Sequence, residues 1–363
     1  MLIFLVIVAM FAIAVFVFVR QKPFGKVPEG NRLERIKKSP NYKNGAFANQ
    51  TETPMMAEEA SYLRLLKLYL FQENKTEPDT TVPSVKTDLN SYLTEKPVLT
   101  WFGHSTLLIR IAGATILVDP VFSQRASPVS YAGSKNYKGT DIYSISDLPA
   151  IDFVLITHDH YDHLDYETID QLKAQTGKFY TPLGVGSHLE YWGVPAEKIR
   201  EFDWWESENI TSEIKLIATP ARHFSGRGIT DRNKTLWTSY VIKTADHSLY
   251  LGGDSGYDKH YKEIGEKYGP FDLVLLEAGQ YHEYWPFIHM MPEETVQACI
   301  DLKGKVLLPI HWAKFTLALH AWNDPITRVA KKAKESEVKL STPMIGEKII
   351  VDSVYPNKTW WIN

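Results

Sequence analysis

The chain has 363 residues, enough for one large domain or two medium ones, and its charged and apolar fractions are those of an ordinary globular protein. A formal net charge of −3 argues against a general nucleic-acid binder, which normally carries a basic excess. The single cysteine, Cys299, excludes a disulfide within the chain and is predicted to be a small buried apolar residue.

The first 19 residues carry no charged or polar side chain and are followed by Arg20. A run of this length is about enough to cross a bilayer as a helix, and a cleaved signal peptide normally begins with positive charges. We therefore predict an uncleaved transmembrane anchor over residues 1–19, with export by a cleaved or uncleaved signal as the alternative. Seven Lys and Arg residues lie between positions 20 and 38, so the positive-inside tendency predicts a cytoplasmic catalytic domain.

Residues 20–96 are predicted to form a linker and N-terminal extension. Positions 21–60 are rich in Pro, Gly, Asn and Lys, and a polar, threonine-rich stretch covers 73–96. Between them, residues 60–72 are apolar around most of a helical circumference and predict a short helix. We expect this helix to pack on the catalytic domain; a second contact with the membrane surface is the alternative.

From Pro97 the pattern changes to short apolar runs broken by turns, which predicts a catalytic domain over residues 97–363. Helices fit residues 166–175, 258–268 and 292–302. Strands are predicted at 98–102, 106–111, 115–118, 153–157, 178–181, 214–218, 237–243, 248–252, 273–276 and 305–310. Strands dominate, so we expect an α/β fold of two sheets packed face to face with helices outside.

The densest cluster of metal-binding side chains lies in residues 157–165. Three histidines and one aspartate, His158, His160, Asp162 and His163, fall within six consecutive positions in the pattern H-x-H-x-D-H. An apolar run at 153–156 precedes them, which places them on the loop that leaves a buried strand. Imidazole and carboxylate are the usual non-sulfur zinc ligands. A polar surface loop rich in histidine is the alternative.

Four more polar residues follow predicted strand ends, namely Asp119, His223, Asp254 and His311. A sheet presents such residues at a shared edge, so we expect them near the histidine-rich loop. Five histidines with Asp162 and Asp254 give seven donors, which suits two metal ions that share a bridging carboxylate. A structural zinc site would be complete with four ligands and would leave the remaining donors buried and unpaired.

Several motifs occur in an order that identifies a family. They are WFGHST at 101–106, VDPVFS at 118–123, HDHYDHLD at 158–165, TPARH at 219–223, GDSGY at 253–257 and IHW at 310–312. Over about residues 97–320 the chain resembles the metallo-β-lactamase superfamily and, within it, the N-acyl-phosphatidylethanolamine-hydrolysing phospholipase D family and its bacterial relatives. The resemblance implies an αββα sandwich with a dinuclear site at one edge of the sheets.

The resemblance also implies roles for individual residues. One metal would be held by His158, His160 and His223, the second by Asp162, His163 and His311, and Asp254 would bridge them. Two Zn²⁺ ions are favoured over iron because position 160 is a histidine where di-iron relatives carry a carboxylate. Asp119 is expected to support a ligand imidazole, His104 to support the site or contact substrate, and His289 to lie close to the substrate phosphate.

The predicted activity is a zinc-dependent, phospholipase D-type hydrolysis that releases N-acylethanolamine from N-acyl-phosphatidylethanolamine through a metal-bridging hydroxide. Asp162, Asp254 and His289 are the predicted catalytic residues. A lactonase or a hydrolase of small phosphorylated esters is the alternative, because one fold serves many substrates. A membrane-tethered binding protein with an inactive site would lack a ligand, and all seven are present. A nucleic-acid partner is not expected, and the oligomeric state is left open.

Overall fold

The computed structural model describes residues 1–71, 73–91 and 94–362. The described residues form eight α-helices, which are α1 (Leu2–Phe18), α2 (Gly30–Ile36), α3 (Tyr62–Leu70), α4 (Tyr166–Leu172), α5 (Gly186–Tyr191), α6 (His260–Tyr268), α7 (Pro292–Asp301) and α8 (Asp324–Glu335). Short 3₁₀ helices lie at Lys22–Phe24, Ile145–Asp147 and Ala196–Lys198.

The strands of the described residues are β1 (Tyr42–Lys43), β2 (Ala46–Phe47), β3 (Val98–Trp101), β4 (Leu107–Ile111), β5 (Ala114–Val118), β6 (Arg125–Ala126), β7 (Ser134–Lys135), β8 (Ile151–Leu155), β9 (Thr176–Pro182), β10 (Ile199–Phe202), β11 (Ser207–Asn209), β12 (Lys215–Thr219), β13 (Ser239–Lys243), β14 (Ser248–Leu251), β15 (Leu273–Glu277), β16 (Leu307–Ile310) and β17 (Lys348–Ile350). Two large sheets contain most of them. The first has seven strands in the order β10-β9-β8-β5-β4-β3-β17, and the second has six in the order β11-β12-β13-β14-β15-β16.

The two sheets pack face to face, as the strand-rich pattern predicted. Side chains alternate along each strand, so Leu107 and Ile109 of β4 enter the core between the sheets while Leu108 enters the cluster outside. Helices α4 and α5 cover the outer face of the first sheet, and α6, α7 and α8 cover that of the second. The predicted αββα sandwich is therefore confirmed.

Strand direction determines where the site forms. In the first sheet β5 pairs parallel with β8, and in the second β14, β15 and β16 pair parallel with one another. Parallel strands end at the same edge. There β5, β8, β14 and β16 are followed by polar residues that the sequence singled out, and β15 ends in Glu277, which it did not. The two edges meet, so short loops from both sheets converge on one location.

The N-terminal extension is more structured than a linker. Residues 20–96 include α2 and the β1–β2 hairpin, and Ile36 and Phe47 are buried against the catalytic domain. The helix predicted over 60–72 is present as α3, although its predicted last residue, Gln72, lies outside the described residues, as do Tyr92 and Leu93 of the polar stretch. None of the nine residues of α3 is buried. Leu65 and Leu68 are half-buried and Arg64 lies 5.5 Å from the centre of the Tyr284 ring, so the helix contacts the catalytic domain without a fully buried side chain, and its packing there stays a prediction.

The predicted transmembrane anchor over residues 1–19 is not supported. Helix α1 forms in this segment, but Met1 and Val19 are its cap positions, which leaves 17 helical residues. None of the helices formed by the described residues has the length and hydropathy that a membrane crossing requires.

Candidate metal centre

The site lies where loops from the two sheets meet. The histidine-rich loop, residues 157–165, joins β8 to α4, and Asp119 directly follows the neighbouring strand β5. From the second sheet, His223 follows β12, Asp254 follows β14 and His311 directly follows β16. The structure brings together all of the residues to which the sequence assigned a ligand, supporting or substrate-contacting role.

Three imidazoles form the first cluster of donors. His158 Nε2 lies 2.9 Å from His160 Nδ1, and His223 Nε2 lies 3.3 Å from the same His160 nitrogen. His158 and His223 are buried and His160 is half-buried, so one side of the cluster faces solvent. These are the residues that the resemblance assigned to the first metal.

A second cluster contains His104, Asp162, His163 and His311. The Asp162 carboxylate lies between two of its imidazoles, with Oδ2 2.8 Å from His104 Nε2 and 3.4 Å from His163 Nε2. The sequence assigned Asp162, His163 and His311 to the second metal and His104 to a supporting position. The ligand atoms of His104 lie within the same cluster, so proximity alone does not separate ligand from support here.

Asp254 lies between the two clusters. Its Oδ2 is 3.1 Å from His163 Nε2, 3.7 Å from His158 Nε2 and 3.8 Å from His223 Nε2. Its Oδ1 is 3.1 Å from His311 Nδ1. Oδ2 thus lies near imidazoles of both clusters and Oδ1 near one of the second, so the carboxylate stands between the two sets.

Burial determines the protonation of most of these imidazoles. It lowers the pKa of His104, His158, His160, His223 and His311. Neutral imidazole is the form that binds a metal ion, because the ligating nitrogen must carry a lone pair. Desolvation by the fold therefore prepares these side chains for coordination at neutral pH.

For Asp254 and His163, neighbouring charges outweigh burial in setting the pKa. Burial alone would raise the pKa of Asp254, but the charges of His163 and His311 hold it well below its ordinary value. Burial would likewise lower the pKa of His163, but Asp254, Asp162 and Asp119 raise it well above its ordinary value. The mutual attraction of His163 and the carboxylates therefore outweighs the effect of burial on the pKa values of His163 and Asp254.

Asp119 orients His163 from behind. Its Oδ2 lies 2.8 Å from His163 Nδ1, and its carboxylate accepts hydrogen bonds from the backbone N–H of Thr157 at 2.8 Å and from the Thr157 hydroxyl at 2.7 Å. Because Nδ1 is engaged by Asp119, Nε2 is the nitrogen that His163 presents to the site. This is the arrangement by which an outer carboxylate fixes the orientation of a ligand imidazole.

The backbone at the site is held in an uncommon conformation. His104, Asp119 and His311 have φ values of 52°, 39° and 65°, in the left-handed region that few non-glycine residues adopt. Two backbone hydrogen bonds fix the loops of His104 and His311 together, from His104 N to Trp312 O at 2.9 Å and from His311 N to His104 O at 2.8 Å. Such strain persists only where the surrounding structure enforces it, and it concentrates at functional sites.

The histidine-rich loop is supported by residues that the sequence did not single out. The buried Arg227 guanidinium donates from Nη1 to the carbonyl oxygens of Asp159 and Leu164, at 2.6 Å and 2.7 Å. The Asp159 carboxylate accepts from Gly226 N at 2.8 Å and lies 3.2 Å from His188 Nε2. These contacts satisfy the polar groups of a loop that is buried almost throughout, which keeps its ligand side chains in place.

His289 lies beside the donor clusters with a partner that the sequence analysis missed. Its Nδ1 is 2.5 Å from Oε2 of Glu277, the last residue of β15, and Glu277 is fully buried. Glu277 Oε1 accepts from Ser255 N at 2.8 Å and from Met290 N at 3.2 Å. Glu277 thus connects the loop of Asp254 to the loop of His289.

The ionisation of this pair follows from burial and mutual attraction. Burial raises the pKa of Glu277 to about 7 despite the opposing effect of His289. Burial would lower the pKa of His289, but the Glu277 carboxylate raises it to about 9. The sequence did contain a signal that could have identified Glu277 as a site residue. It is the acidic residue at the end of an otherwise apolar strand, LVLLE at 273–277, and that strand ends at the edge where the other donors lie.

A cleft of about 250 Å³ opens onto the donors. His160, Asp162, Asp254, His289 and His311 line its floor, and apolar residues line its walls. Two of these wall residues, Trp285 and Leu317, also line a neighbouring cleft of about 840 Å³. The donors are therefore accessible to a ligand, and the accessible space extends well beyond them.

The donor set fits bound metal. Among the described residues, His163 Nε2 and Asp254 Oδ1 are buried and make no hydrogen bond, although each points into the cluster. Within each group of donors the ligand atoms lie within 4.8 Å of one another. Buried imidazoles and carboxylates this close, with unsatisfied atoms directed inward, are costly without a cation and favourable with one.

Proteins similar in sequence to this chain include metal-dependent hydrolases, which is consistent with a metal centre. The β-lactamase superfamily domain matches residues 114–312, more than half of the chain. An uncharacterized protein of Mycobacterium tuberculosis is 39% identical over 328 residues, which cover 89% of this chain and 87% of that protein. A Caenorhabditis elegans protein named N-acyl-phosphatidylethanolamine-hydrolyzing phospholipase D 1 is 32% identical over 252 residues, 66% of this chain and 70% of that protein.

Among solved structures, a metallo hydrolase from the archaeon Ignicoccus hospitalis has the same fold, with a TM-score of 0.56 and 23% identity over 70% of this chain and 97% of that one. The family predicted from the motifs is thereby confirmed. The chain belongs to the β-lactamase superfamily of metal-dependent hydrolases and, within it, to the family that includes proteins named N-acyl-phosphatidylethanolamine-hydrolyzing phospholipase D.

Proposed function

We propose that this protein is a phospholipase D-type phosphodiesterase that hydrolyses N-acyl-phosphatidylethanolamine with two zinc ions. The observation that carries the proposal is the pair of buried donor clusters that share Asp254 at the floor of an open cleft. Relatives named for this activity support the choice of substrate. In the reaction, water adds across the phosphorus–oxygen bond to the acylated ethanolamine, and the products are phosphatidic acid and N-acylethanolamine.

In this proposal His158, His160 and His223 would hold one ion, Asp162, His163 and His311 would hold the other, and Asp254 would be shared by both. When bound, the ions supply Lewis acidity, which stabilises charge on phosphate oxygens and makes water nucleophilic near neutral pH. Zinc suits this set of residues, because imidazoles and carboxylates are common zinc ligands. Zinc also undergoes no redox change, and its d-electrons impose no particular coordination geometry.

Three residues of the chain act at the reacting groups. Asp254 lies at the centre of the donors, where its carboxylate orients the attacking water and accepts its proton. His289 lines the same cleft, and Glu277 engages its Nδ1, so Nε2 donates a hydrogen bond to the phosphate. Asp162 is held by His104 beside the second set of imidazoles, where it orients the phosphate-binding side of the site.

The size of the accessible space bears on the alternative, a lactonase or small-ester hydrolase. The cleft directly over the donors, about 250 Å³, is large enough for a small ester alone. A neighbouring cleft of about 840 Å³, which shares Trp285 and Leu317 with it, would provide room for acyl chains that a small ester would leave empty. The combined space favours the lipid substrate.

The test is a comparison of substrates with purified protein loaded with zinc. N-acyl-phosphatidylethanolamine in detergent and a soluble lactone are assayed in parallel, with chelator-treated and zinc-restored samples. We expect N-acylethanolamine and phosphatidic acid from the lipid, loss of both with chelator, and loss with His160→Ala. His247→Ala is the matched control, since His247 lies near Asp352 and away from the donors. Lactone hydrolysis without lipid cleavage would contradict the proposal and support the alternative.

A further inference from the structure

We propose that Asn49, in the N-terminal extension, is a positioning residue of the metal centre, because its side chain fixes the backbone of His223 and so determines how tightly the first cluster of donors binds its ion. The proposal rests on the two-ion assignment of the proposed function and is independent of the substrate. It gives a role at the metal centre to a residue that lies 174 positions before His223 in the chain.

The Asn49 amide makes two reciprocal hydrogen bonds with the backbone of His223. Asn49 Nδ2 donates to His223 O at 2.8 Å, and Asn49 Oδ1 accepts from His223 N at 3.1 Å. One side chain therefore satisfies both backbone groups of a residue that is assigned as a metal ligand. This pairing fixes the point of the backbone from which the imidazole projects.

The Asn49 side chain is itself held in place. Its Oδ1 also accepts from Trp237 Nε1 at 3.0 Å, and the Trp237 side chain is buried. Two N–H groups face the same amide atom, which identifies that atom as the oxygen. Two positions earlier, Phe47 is buried in the same apolar cluster as Trp237 and Ala221. Asn49 is thus attached to a rigid part of the protein, and its hydrogen bonds can hold the loop of His223.

The residues after Asn49 hold the neighbour of His223. Arg222 donates from Nη2 to Glu52 O at 2.9 Å and from Nε to Thr53 Oγ1 at 3.0 Å. Arg222 N donates in turn to Ser255 Oγ at 2.8 Å, next to Asp254. Segment 49–53 therefore fixes two consecutive residues of the loop that presents His223, and that loop is joined to the loop of Asp254.

Together these contacts determine where His223 Nε2 lies. His223 Nδ1 is 2.8 Å from Ile288 O, so Nδ1 donates there and Nε2 faces the donors, 3.3 Å from His160 Nδ1. Asn49 fixes the backbone and Ile288 fixes the ring. Zinc–nitrogen bonds are about 2.0–2.1 Å long, so even a small displacement of this backbone weakens coordination.

The influence of Asn49 is restricted to one of the two clusters. All the hydrogen bonds that the described residues of segment 49–53 make to assigned metal ligands go to His223. The second cluster is supported from a different direction, by the Asp119 carboxylate 2.8 Å from His163 Nδ1. Loss of the Asn49 amide is therefore expected to weaken the binding of one ion and to leave the other unchanged.

The test is zinc binding by the full chain and its Asn49→Ala variant, each first freed of metal and then titrated in competition with a chromophoric chelator. We expect the variant to bind one zinc ion with native affinity and the other about 10- to 100-fold more weakly. Asn41→Ala is the matched control. Asn41 is also half-buried in the N-terminal extension, but its Nδ2 donates to Asp203 Oδ1 at 2.8 Å, and we expect native affinity for both ions.

Two results of this titration would overturn the proposal. One is native affinity of folded Asn49→Ala for both ions. The other is an equal weakening of both ions, which would indicate a general loss of structure. Because Asn49 is half-buried, water can reach the backbone groups that the substitution frees, and we expect the variant to fold. Asn49→Ser, whose shorter polar side chain keeps the position hydrated, is the second variant if the alanine variant does not fold, and the same results are expected for it.

A second readout requires no metal. Hydrogen exchange of the peptide that contains residues 221–225, measured by mass spectrometry on the metal-free proteins, reports on the His223 amide. We expect faster exchange in Asn49→Ala than in the native chain and Asn41→Ala, and equal exchange in all three would refute the clamp. Binding of a single ion by the native chain would refute the two-ion assignment, and the exchange measurement would still test Asn49. Failure to cleave the lipid would refute the proposed substrate and leave both readouts in force.

Discussion

The contact between Glu277 and His289 predicts the effect of a single-atom change, Glu277→Gln. The variant keeps the shape of the side chain and an oxygen able to accept from Ser255 N and Met290 N, which lie 2.8 Å and 3.2 Å from Oε1. It replaces Oε2, which lies 2.5 Å from His289 Nδ1, with an NH₂ group. That group donates, so Nδ1 has to accept instead.

The consequence is a defect in His289 rather than in folding. With a carboxylate at position 277, His289 donates from Nδ1, and its pKa is raised to about 9. With a carboxamide the pKa falls, because the charge that stabilised the protonated ring is gone. Changing a partner that orients a site histidine typically costs about 10- to 100-fold in activity, or ~1.4–2.8 kcal/mol of transition-state stabilisation. We expect this loss in kcat, and an alkaline limb of the pH–rate profile displaced to lower pH.

The assay is steady-state hydrolysis of N-acyl-phosphatidylethanolamine in detergent, with metal content measured on the same samples. Glu277→Ala serves as a contrast, since it leaves two buried N–H groups unsatisfied and is expected to cost about 2–6 kcal/mol of unfolding free energy. Glu293→Gln is the matched control, because Glu293 is a partly exposed glutamate paired with Arg328. Native kcat in fully metal-loaded Glu277→Gln would refute the reasoning, as would a loss explained by metal content alone.

Three further predictions concern the metal donors and the core. Asp254→Asn is expected to lose at least about 100-fold of activity together with bound metal, whereas His247→Ala keeps both; a native rate in the Asn variant would exclude the bridging role. Asp119→Asn weakens the support of His163 and is expected to reduce metal affinity about 10- to 100-fold, measured by competition with a chromophoric chelator. Burial lowers the pKa of Lys314 to about 8, so the unfolded chain binds more protons than the native one between pH 8 and 10.5, and stability rises with pH across that window. Urea unfolding of Lys314→Met should show a smaller rise, and an equal rise would contradict this assignment.

The strand-then-ligand pattern allowed much of the fold to be predicted. Apolar runs such as 153–157 and 273–276 are observed as β8 and β15 with ends displaced by one or two residues, because a buried strand in a sandwich needs a continuous apolar sequence. Short or polar elements were not predicted. Helix α5 has six residues, and β11 is SEN, so neither has a recognisable period.

The N-terminal segments show where periodicity fails. Helix α3 is apolar on both sides, so its sequence cannot indicate which side packs, and none of its residues is fully buried. The anchor predicted over residues 1–19 was inferred from apolar composition. Composition does not show how many of these residues become helical, and the helix that forms there has 17 residues.

The site residues were predicted to different degrees. The histidine-rich loop and the residues after β5, β12, β14 and β16 could be expected together, because the ends of neighbouring strands share an edge. Glu277 could not be distinguished from an ordinary strand terminus until its distance to His289 was known. Likewise, the support that Arg227 gives to the loop depends on contacts across 68 positions of the chain.

The central claim is that this metal centre directs water to the phosphorus of an N-acylated phospholipid. The most direct test is hydrolysis of N-acyl-phosphatidylethanolamine in ¹⁸O-labelled water by the zinc-loaded protein, with both products weighed by mass spectrometry. The account predicts one ¹⁸O atom in phosphatidic acid and none in N-acylethanolamine. Label in N-acylethanolamine, or no cleavage by protein whose metal content is confirmed, would contradict it.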